Sequence, residues 1–396
     1  MKSFLTFFLF GCLFPFTFSL HGIAGNGVKI DSFKNYETRM LYRNLKKFSD
    51  EGVMFGMANP TTISYKGGPK NNDIKQSDCK DITGSHPAFH ESDFMWYQDS
   101  GGKSFMKTDI QALQEACERG ALIGYCWHLR GPESGSFYAK KDGDFTRDKD
   151  LVKSIVNGPS DRSQNASLDW LLSLLDNLVI PVFQEINSPV LFRPFHEMNG
   201  NWFWWGSDNC TPQEYQQLYR IVVDYLRKNE IYNVLYVWSP DTKAAFEYYP
   251  GHDYVDIVGM DIYEPCIAKG KSREKVVSLL REISRFAQEH DKVAAWTETG
   301  LRKKNGVFLY PEVYPEFWTQ NVLDVIQTDS LTQKIAYVMS WYSADWQNDG
   351  SGQFYIPYEG IITDYTNGKK AVDDFIEFYR DPFTFFEDRL PGLYAE

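Results

Sequence analysis

Between residues 53 and 343 the chain alternates two patterns. Short β-branched or aromatic runs close on polar residues, and each is followed by a longer segment whose apolar positions recur at helical spacing. The runs predict strands at Val53–Ala58, Phe94–Gln98, Ala121–His128, Val190–Glu197, Val234–Ser239, Asp256–Tyr263, Val293–Thr299 and Tyr337–Tyr342. The intervening segments predict helices over Lys107–Arg119, Ser167–Gln184, Pro212–Lys228, Ser272–His290 and Pro315–Thr328, with Thr211-Pro212 reading as a capped helix start. A C-terminal helix is expected near 370–379, after a loop at 345–353 rich in Asp, Gly and Gln. Eight such units over about 290 residues predict a parallel sheet closed into a (β/α)8 TIM barrel, not an open doubly wound sheet. No GxGxxG or P-loop follows an early strand, which argues against a nucleotide site.

The barrel expectation directs attention to the strand ends, because in this fold the chemistry sits at their C-terminal side. The third strand closes on Trp127-His128, the fourth on Arg193-Pro194-Phe195-His196-Glu197, the sixth on Asp261-Ile262-Tyr263, the seventh on Glu298 and the eighth on Trp341-Tyr342. Glu197 and Glu298 are thereby expected to face each other across one barrel mouth. Glycoside hydrolysis needs such a pair, one carboxyl protonated to release the leaving oxygen and one ionised to meet the oxocarbenium-like centre, about 5–5.5 Å apart in retaining enzymes. Glu197 is followed by Met198-Asn199-Gly200-Asn201-Trp202-Phe203-Trp204-Trp205-Gly206, with three tryptophans in four residues. Rings on a loop over the site would stack on the apolar faces of sugars.

Composition sharpens this picture. Aromatic residues make up 16% of the 396 positions, more than a core needs. A net charge of −12 argues against nucleic acid and anionic membranes as partners. The first 19 residues carry one Lys before a long apolar run and read as a secretory signal peptide, with 20–396 as a single catalytic domain. Leu9-Phe10-Gly11-Cys12 also has the outline of a lipoprotein cleavage box, but Phe10 fits it poorly and the residues after Cys12 stay apolar, so a secreted or periplasmic protein is the preferred expectation. No other run is long enough to span a bilayer. The six cysteines, at 12, 79, 117, 126, 210 and 266, form no CxxC pair; Cys117 and Cys126 read as small buried hydrophobes, and a disulfide among Cys79, Cys210 and Cys266 stays open. His86, His90, His252 and His290 lack ligand spacing, so no catalytic metal and no cofactor is implied. Two glycosylation sequons stand at Asn165 and Asn209.

The stretches LFRPFHEMNGNWFWWG (191–206) and WTETG (296–300), with WHLRGP (127–132), DIY (261–263) and SWYSAD (340–345), resemble glycoside hydrolase family 26, whose members are chiefly endo-β-1,4-mannanases. The resemblance covers about residues 36 to 380. It implies Glu197 as acid/base, Glu298 as nucleophile, and His128, Arg193, His196, Trp202, Tyr263 and Trp341 as residues lining the subsites around the scissile bond. Burial beside His196 and aromatic rings is expected to favour protonated Glu197, and donors, Tyr263 first and Arg193 second, to keep Glu298 ionised. The implied activity is retaining hydrolysis of internal bonds in mannan, glucomannan or galactomannan by a monomer acting on polysaccharides or manno-oligosaccharides. Alternatives are the same chemistry on mixed-linkage β-glucan or xylan, exo-release of mannobiose, or a glycan-binding barrel without catalysis. The presence of both glutamates speaks against the last. The long segment 130–165, rich in charge and Gly, is a place where the cleft could be restricted.

Overall fold

The structure, a computed structural model, describes residues 32–65, 73–98, 102–301, 303–304, 307–308, 314–344, 352–358 and 365–396. The expected signal peptide, Cys12 and most of the 345–353 loop lie outside them. Eight parallel strands form a closed ring: β1 Val53–Ala58, β2 Phe89–Asp93, β3 Leu122–Trp127, β4 Val190–Pro194, β5 Val234–Trp238, β6 Ile257–Asp261, β7 Val293–Thr299 and β8 Ile335–Ser340. Each pairs with its neighbours in sequence, and β1 closes on β8 through Met54↔Tyr337 to Met57↔Ser340. The architecture is therefore the expected (β/α)8 TIM barrel.

One strand is corrected. The run Phe94–Gln98 is not β2: Phe94–Tyr97 is a 3-10 turn, and the strand lies just before it, at Phe89–Asp93. The sequence FHESD conceals itself because its inward positions near the barrel mouth carry Glu91 and Asp93, so no apolar pattern marks it. Phe94 and Tyr97 are buried by packing outward with Tyr125 and Phe183.

The pleat sorts each strand into two sets. One set, including Val53, Phe55, Ile123, Tyr125, Phe192, Tyr236, Trp238, Val258 and Trp296, packs against the surrounding helices. The other fills the barrel: Met54, Phe89, Leu122, Leu191, Leu235, Val237, Ile257, Val293, Ala295, Tyr337 and Met339. Phe89 fits there because β1 and β3 present Gly56 and Gly124 beside it. A Cβ on Gly56 would lie 3.0 Å from the Phe89 ring, and one on Gly124 would lie 2.9 Å from it. Leu41, Leu45 and Phe48 of the helix Tyr36–Phe48, together with Leu393, belong to this same inner cluster.

The helix Pro212–Lys228 begins where Thr211-Pro212 predicts, on a capping box in which Thr211 and Glu214 exchange side-chain-to-backbone bonds. Among the described residues one helical stretch, Ala166–Ile186, is long and apolar enough to cross a membrane, but Leu171, Leu175, Val179, Val182 and Phe183 commit it to the barrel core. It passes through a π-turn at Leu175–Val179 just before Pro181, which has no N–H to donate. Cys79, Cys117, Cys126, Cys210 and Cys266 are all free thiols; Cys126 is buried as expected, Cys117 only partly.

If Phe89 depends on the missing side chains beside it, Gly124→Val should overpack the barrel and cost about 1–3 kcal/mol. Urea unfolding checks this, and an unchanged midpoint would show that Phe89 is not confined as described.

Candidate active site

The chain places its chemistry through two local irregularities. The first is at the end of β4, where Phe195 and Glu197 both adopt left-handed backbone, with φ of 54° and 52°. Such a conformation is unfavourable for residues with a Cβ and needs support. The Glu197 N–H donates to the Ser239 carbonyl at 2.8 Å, and the Gly200 N–H donates to the Glu197 carbonyl at 2.9 Å. The second irregularity is a bulge in β7. Along β6 the register moves one residue, from Met260↔Trp296 to Asp261↔Glu298, while β7 moves two. From Val338↔Trp296 to Ser340↔Thr299, β8 moves two residues while β7 moves three. Both neighbours thus record one extra residue in β7. A bulge re-aims side chains, and here the consecutive Thr297 and Glu298 both reach interior partners: Thr297 donates to Asp261 at 2.5 Å, and Glu298 meets Arg193.

Arg193, 1% exposed, lies beneath the barrel mouth. Its guanidinium forms a fork with Glu91 at 3.1 and 2.7 Å, donates to Glu298 Oε1 at 2.7 Å and approaches Asp261 at 3.4 Å. Burial works against its charge, but the carboxylates of Glu91, Glu298 and Asp261 outweigh that and raise its pKa well above the ordinary value. Burial raises the pKa of Glu91 against the pull of Arg193. Burial and then the charge of Glu298 raise that of Asp261 well above the usual carboxylate range.

Glu298 has a second donor. The Tyr263 hydroxyl bonds its Oε2 at 2.6 Å, and burial followed by the negative charge of Glu298 pushes the phenol's pKa far up, so that it remains a donor. Glu197 instead receives the indole N–H of Trp202 on Oε2 at 2.7 Å. Trp202 folds over Gly200, where a Cβ would come within 2.3 Å of its ring.

Both glutamates line one open cavity of about 410 Å³, together with Met95, His128, Phe137, Tyr138, His196, Trp202, Phe203, Tyr263, Trp341, Tyr342, Gln353 and Tyr355. His128 is oriented by Asp93, whose Oδ2 lies 2.5 Å from its Nδ1 and whose Oδ1 accepts its backbone N–H at 3.1 Å. His196 is kept neutral: burial, then the neighbouring His128 and Arg193, lower its pKa well below the ordinary value. The His128 ring stands 4.5 Å from that of His196 and 5.2 Å from that of Trp341.

The site thus gathers seven of the eight residues singled out in the sequence around one cavity: Glu197, Glu298, His128, His196, Trp202, Tyr263 and Trp341. Arg193 is the exception, absent from the lining and bonded to carboxylates below it. The expectation for the tryptophan loop is also corrected. Trp204 and Trp205 are fully buried, their indoles donating to the carbonyls of Leu129 and His196, so only Trp202 of the three reaches the cavity. Glu91 and the orienting role of Asp93 escaped notice because they lie on the concealed β2, and Phe137, Tyr138 and Tyr355 because they come from loops with no periodicity. Neither sequon offers a free amide: Asn165 caps a helix and donates to three carbonyls, and the buried Asn209 donates to Phe203.

Among the described residues, Cys126, His128 and His196, and separately His196, Asp261 and Glu298, bring ligand-type atoms within 4.8 Å of one another. In the first group burial holds Cys126 as a thiol and Asp93 engages His128; in the second the Arg193 guanidinium already supplies the positive charge.

Comparison with known proteins agrees with this geometry. The chain is 28% identical over 296 residues to a mannan endo-1,4-β-mannosidase of Bifidobacterium adolescentis, covering 70% of this chain and 28% of that one. It is 30% identical over 245 residues to a mannan endo-1,4-β-mannosidase of Bacillus subtilis, covering 58% and 62%. The chain thus spans less than two thirds of either relative's length. The solved structure of a family 26 β-mannanase from Bacteroides ovatus superposes with a TM-score of 0.75 at 26% identity, covering 92% of this chain and 98% of that one. Glycosyl hydrolase family 26 matches residues 30–289, and on that match, with the barrel and its paired glutamates, the chain belongs to this family.

Proposed function

We propose that the protein hydrolyses internal β-1,4-mannosidic bonds of mannan, glucomannan or galactomannan with retention, Glu298 attacking the anomeric carbon and Glu197 serving as acid and then base. The observation that carries this reading is the unequal treatment of two glutamates in one cavity: Glu298 accepts from the Arg193 guanidinium and the Tyr263 phenol, and Glu197 accepts from the Trp202 indole N–H.

Donors to a carboxylate favour its ionised form, which a nucleophile requires. Arg193 and Tyr263 also fix the direction of Glu298, so that little reorganisation is needed when it attacks. Glu197 lies on the turn that closes β4, beside neutral His196, and its proton can pass to the leaving oxygen. After the leaving sugar departs, the same carboxylate takes a proton from water as that water attacks the glycosyl-enzyme. Arg193 acts through Glu298 as a positioning residue. His128, held by Asp93, and Trp341 present a hydrogen-bonding ring and an apolar face to the sugar. A polysaccharide cannot cross a bilayer, and the apolar N-terminus, 1–19, is read as the export signal that brings a catalytic domain of 20–396 to it.

Purified protein should act on galactomannan with a clear excess over lichenan and xylan in a reducing-sugar assay, and should release a spread of products from mannohexaose. Dominant activity on lichenan or xylan overturns the mannan reading, and mannobiose as sole product overturns internal cleavage. Glu298→Ala should abolish turnover while polysaccharide binding persists. Glu197→Ala should lose roughly 10²–10⁴-fold on mannan, the usual worth of general acid catalysis, yet retain a rapid first-turnover burst of dinitrophenolate from an activated aryl glycoside, a step that needs no proton. Loss of that burst as well would contradict the role of Glu197. Tyr263→Phe removes one of the donors that hold Glu298, so kcat/KM on mannan should fall roughly 10–100-fold, a hydrogen bond to a charged group being worth about 1.5–3 kcal/mol. An unchanged kcat/KM would show that the phenol does not support the nucleophile.

A further inference from the structure

Among the described residues four large apolar side chains are strongly exposed, and two of them, Tyr138 and Phe145, belong to one hairpin in the loop after β3. They differ in what lies beside them. Phe145 has the ammonium groups of Lys140 and Lys149 at 4.4 and 4.6 Å from its ring centroid. Tyr138 lines the active-site cavity, and its ring lies on Phe203, which in turn stacks on buried Trp205, at interplanar angles of 20° and 23°. An exposed ring backed by two layers of aromatic core is a rigid platform.

The hairpin is pinned at both ends. At its base the Asp148 carboxylate, almost wholly buried, accepts the backbone N–H groups of Glu133 and Ser134 at 3.1 and 2.9 Å and the Ser134 hydroxyl. A Cβ on Gly131 would lie 2.3 Å from that carboxylate, so Gly131 permits the contact. At its flank the Ala139 N–H donates to the Trp202 carbonyl at 2.6 Å, the Trp204 N–H donates to the Phe137 carbonyl at 3.1 Å, and Lys140 pairs with Asp208 at 2.9 Å. These bonds set Tyr138 beside Trp202-Phe203, the segment whose indole holds Glu197. It thus stands on the Glu197 side of the cavity, while Tyr263 stands on the Glu298 side. The negative charge of Glu197, after burial, helps raise the Tyr138 phenol.

We infer that Tyr138 is a sugar-stacking platform for the leaving-group side of a bound β-1,4-linked chain. The inference rests on the proposed roles of the two glutamates, since the acid marks the side from which the leaving sugar departs. On this reading the segment 130–165 does not close the cleft at this point but lengthens it by one sugar-binding surface. The same surface would receive the acceptor when the glycosyl-enzyme is resolved by a second saccharide in place of water.

The test uses the full enzyme and its Tyr138→Ala, Tyr138→Phe and Phe145→Ala variants on mannotriose to mannohexaose, with the reducing end labelled by ¹⁸O to map which bond is cut. Loss of one stack should lower kcat/KM on mannopentaose roughly 5–10-fold in Tyr138→Ala, a typical aromatic contribution, and move cleavage away from the modes that place two or more sugars on the leaving side. Transfer to added mannobiose relative to water should fall in parallel, while release of dinitrophenolate from an activated mannobioside, which places no sugar on the leaving side, changes by no more than about twofold. Tyr138→Phe keeps the ring and should restore the cleavage pattern lost in Tyr138→Ala, and Phe145→Ala should behave as the parent. Unchanged cleavage frequencies in Tyr138→Ala, or an equal loss in Phe145→Ala, overturn the platform. A parent enzyme inactive on every manno-oligosaccharide overturns the proposed function itself, and the platform with it.

Discussion

The active-site mouth depends on one buried cation among three carboxylates. Arg193 is the point at which β2, β6 and β7 meet inside the barrel, through Glu91, Asp261 and Glu298. Removing one partner from a buried pair leaves an uncompensated charge, a loss of about 3–5 kcal/mol, and here a single guanidinium serves three partners. Burial pushes Glu91 and Asp261 toward their protonated forms, which lessens their competition for the cation. Glu298 therefore meets a guanidinium that its neighbours hold in place. Stability and function are coupled at this point: the group that neutralises the barrel interior also orients the proposed nucleophile.

The β7 bulge follows from the same requirement. A regular strand would send Thr297 and Glu298 to opposite faces, and only one of them could reach the interior. The extra residue allows Thr297 to bond Asp261 while Glu298 bonds Arg193 and Tyr263. Across the mouth, the left-handed residues at 195 and 197 do comparable work for Glu197. In both strands irregular backbone occurs where a carboxylate must be aimed, and regular pleat resumes below, where Leu191, Ala295 and their neighbours only fill space.

How legible this was in the sequence depended on whether a residue's environment matched its chemistry. β1 and β7 were read to the residue because all their positions are buried and most are apolar. β2 was displaced because the barrel interior beside Arg193 demands acids where pattern reading expects apolar side chains. Trp204 and Trp205 were misread for the converse reason: a Trp-rich loop suggests a sugar surface, yet two of its indoles find carbonyl partners in the core. Glu197 and Glu298 could be found because each closes an apolar run, and a barrel places such residues at its mouth. The loop residues Phe137, Tyr138 and Tyr355 offered no such signal, since only tertiary contacts bring them to the cavity.

The two glutamates also differ in what supports their partners. Arg193 issues from β4, and Tyr263 from the bend just past β6, where the Ile262 N–H donates to the Glu298 carbonyl at 2.8 Å, so both donors to Glu298 are tied to the barrel ladder. Trp202 issues from a loop, and its position is set by packing over Gly200 and by backbone bonds to the hairpin that carries Tyr138. A nucleophile gains from rigid donors because its charge must be aimed before attack. An acid/base changes protonation state twice per turnover, so a neutral N–H donor such as the Trp202 indole serves it better than a guanidinium, which would oppose protonation at each cycle. That asymmetry arises from where the chain places loops and strands, and it supports the two proposed roles on physical grounds independent of the family resemblance.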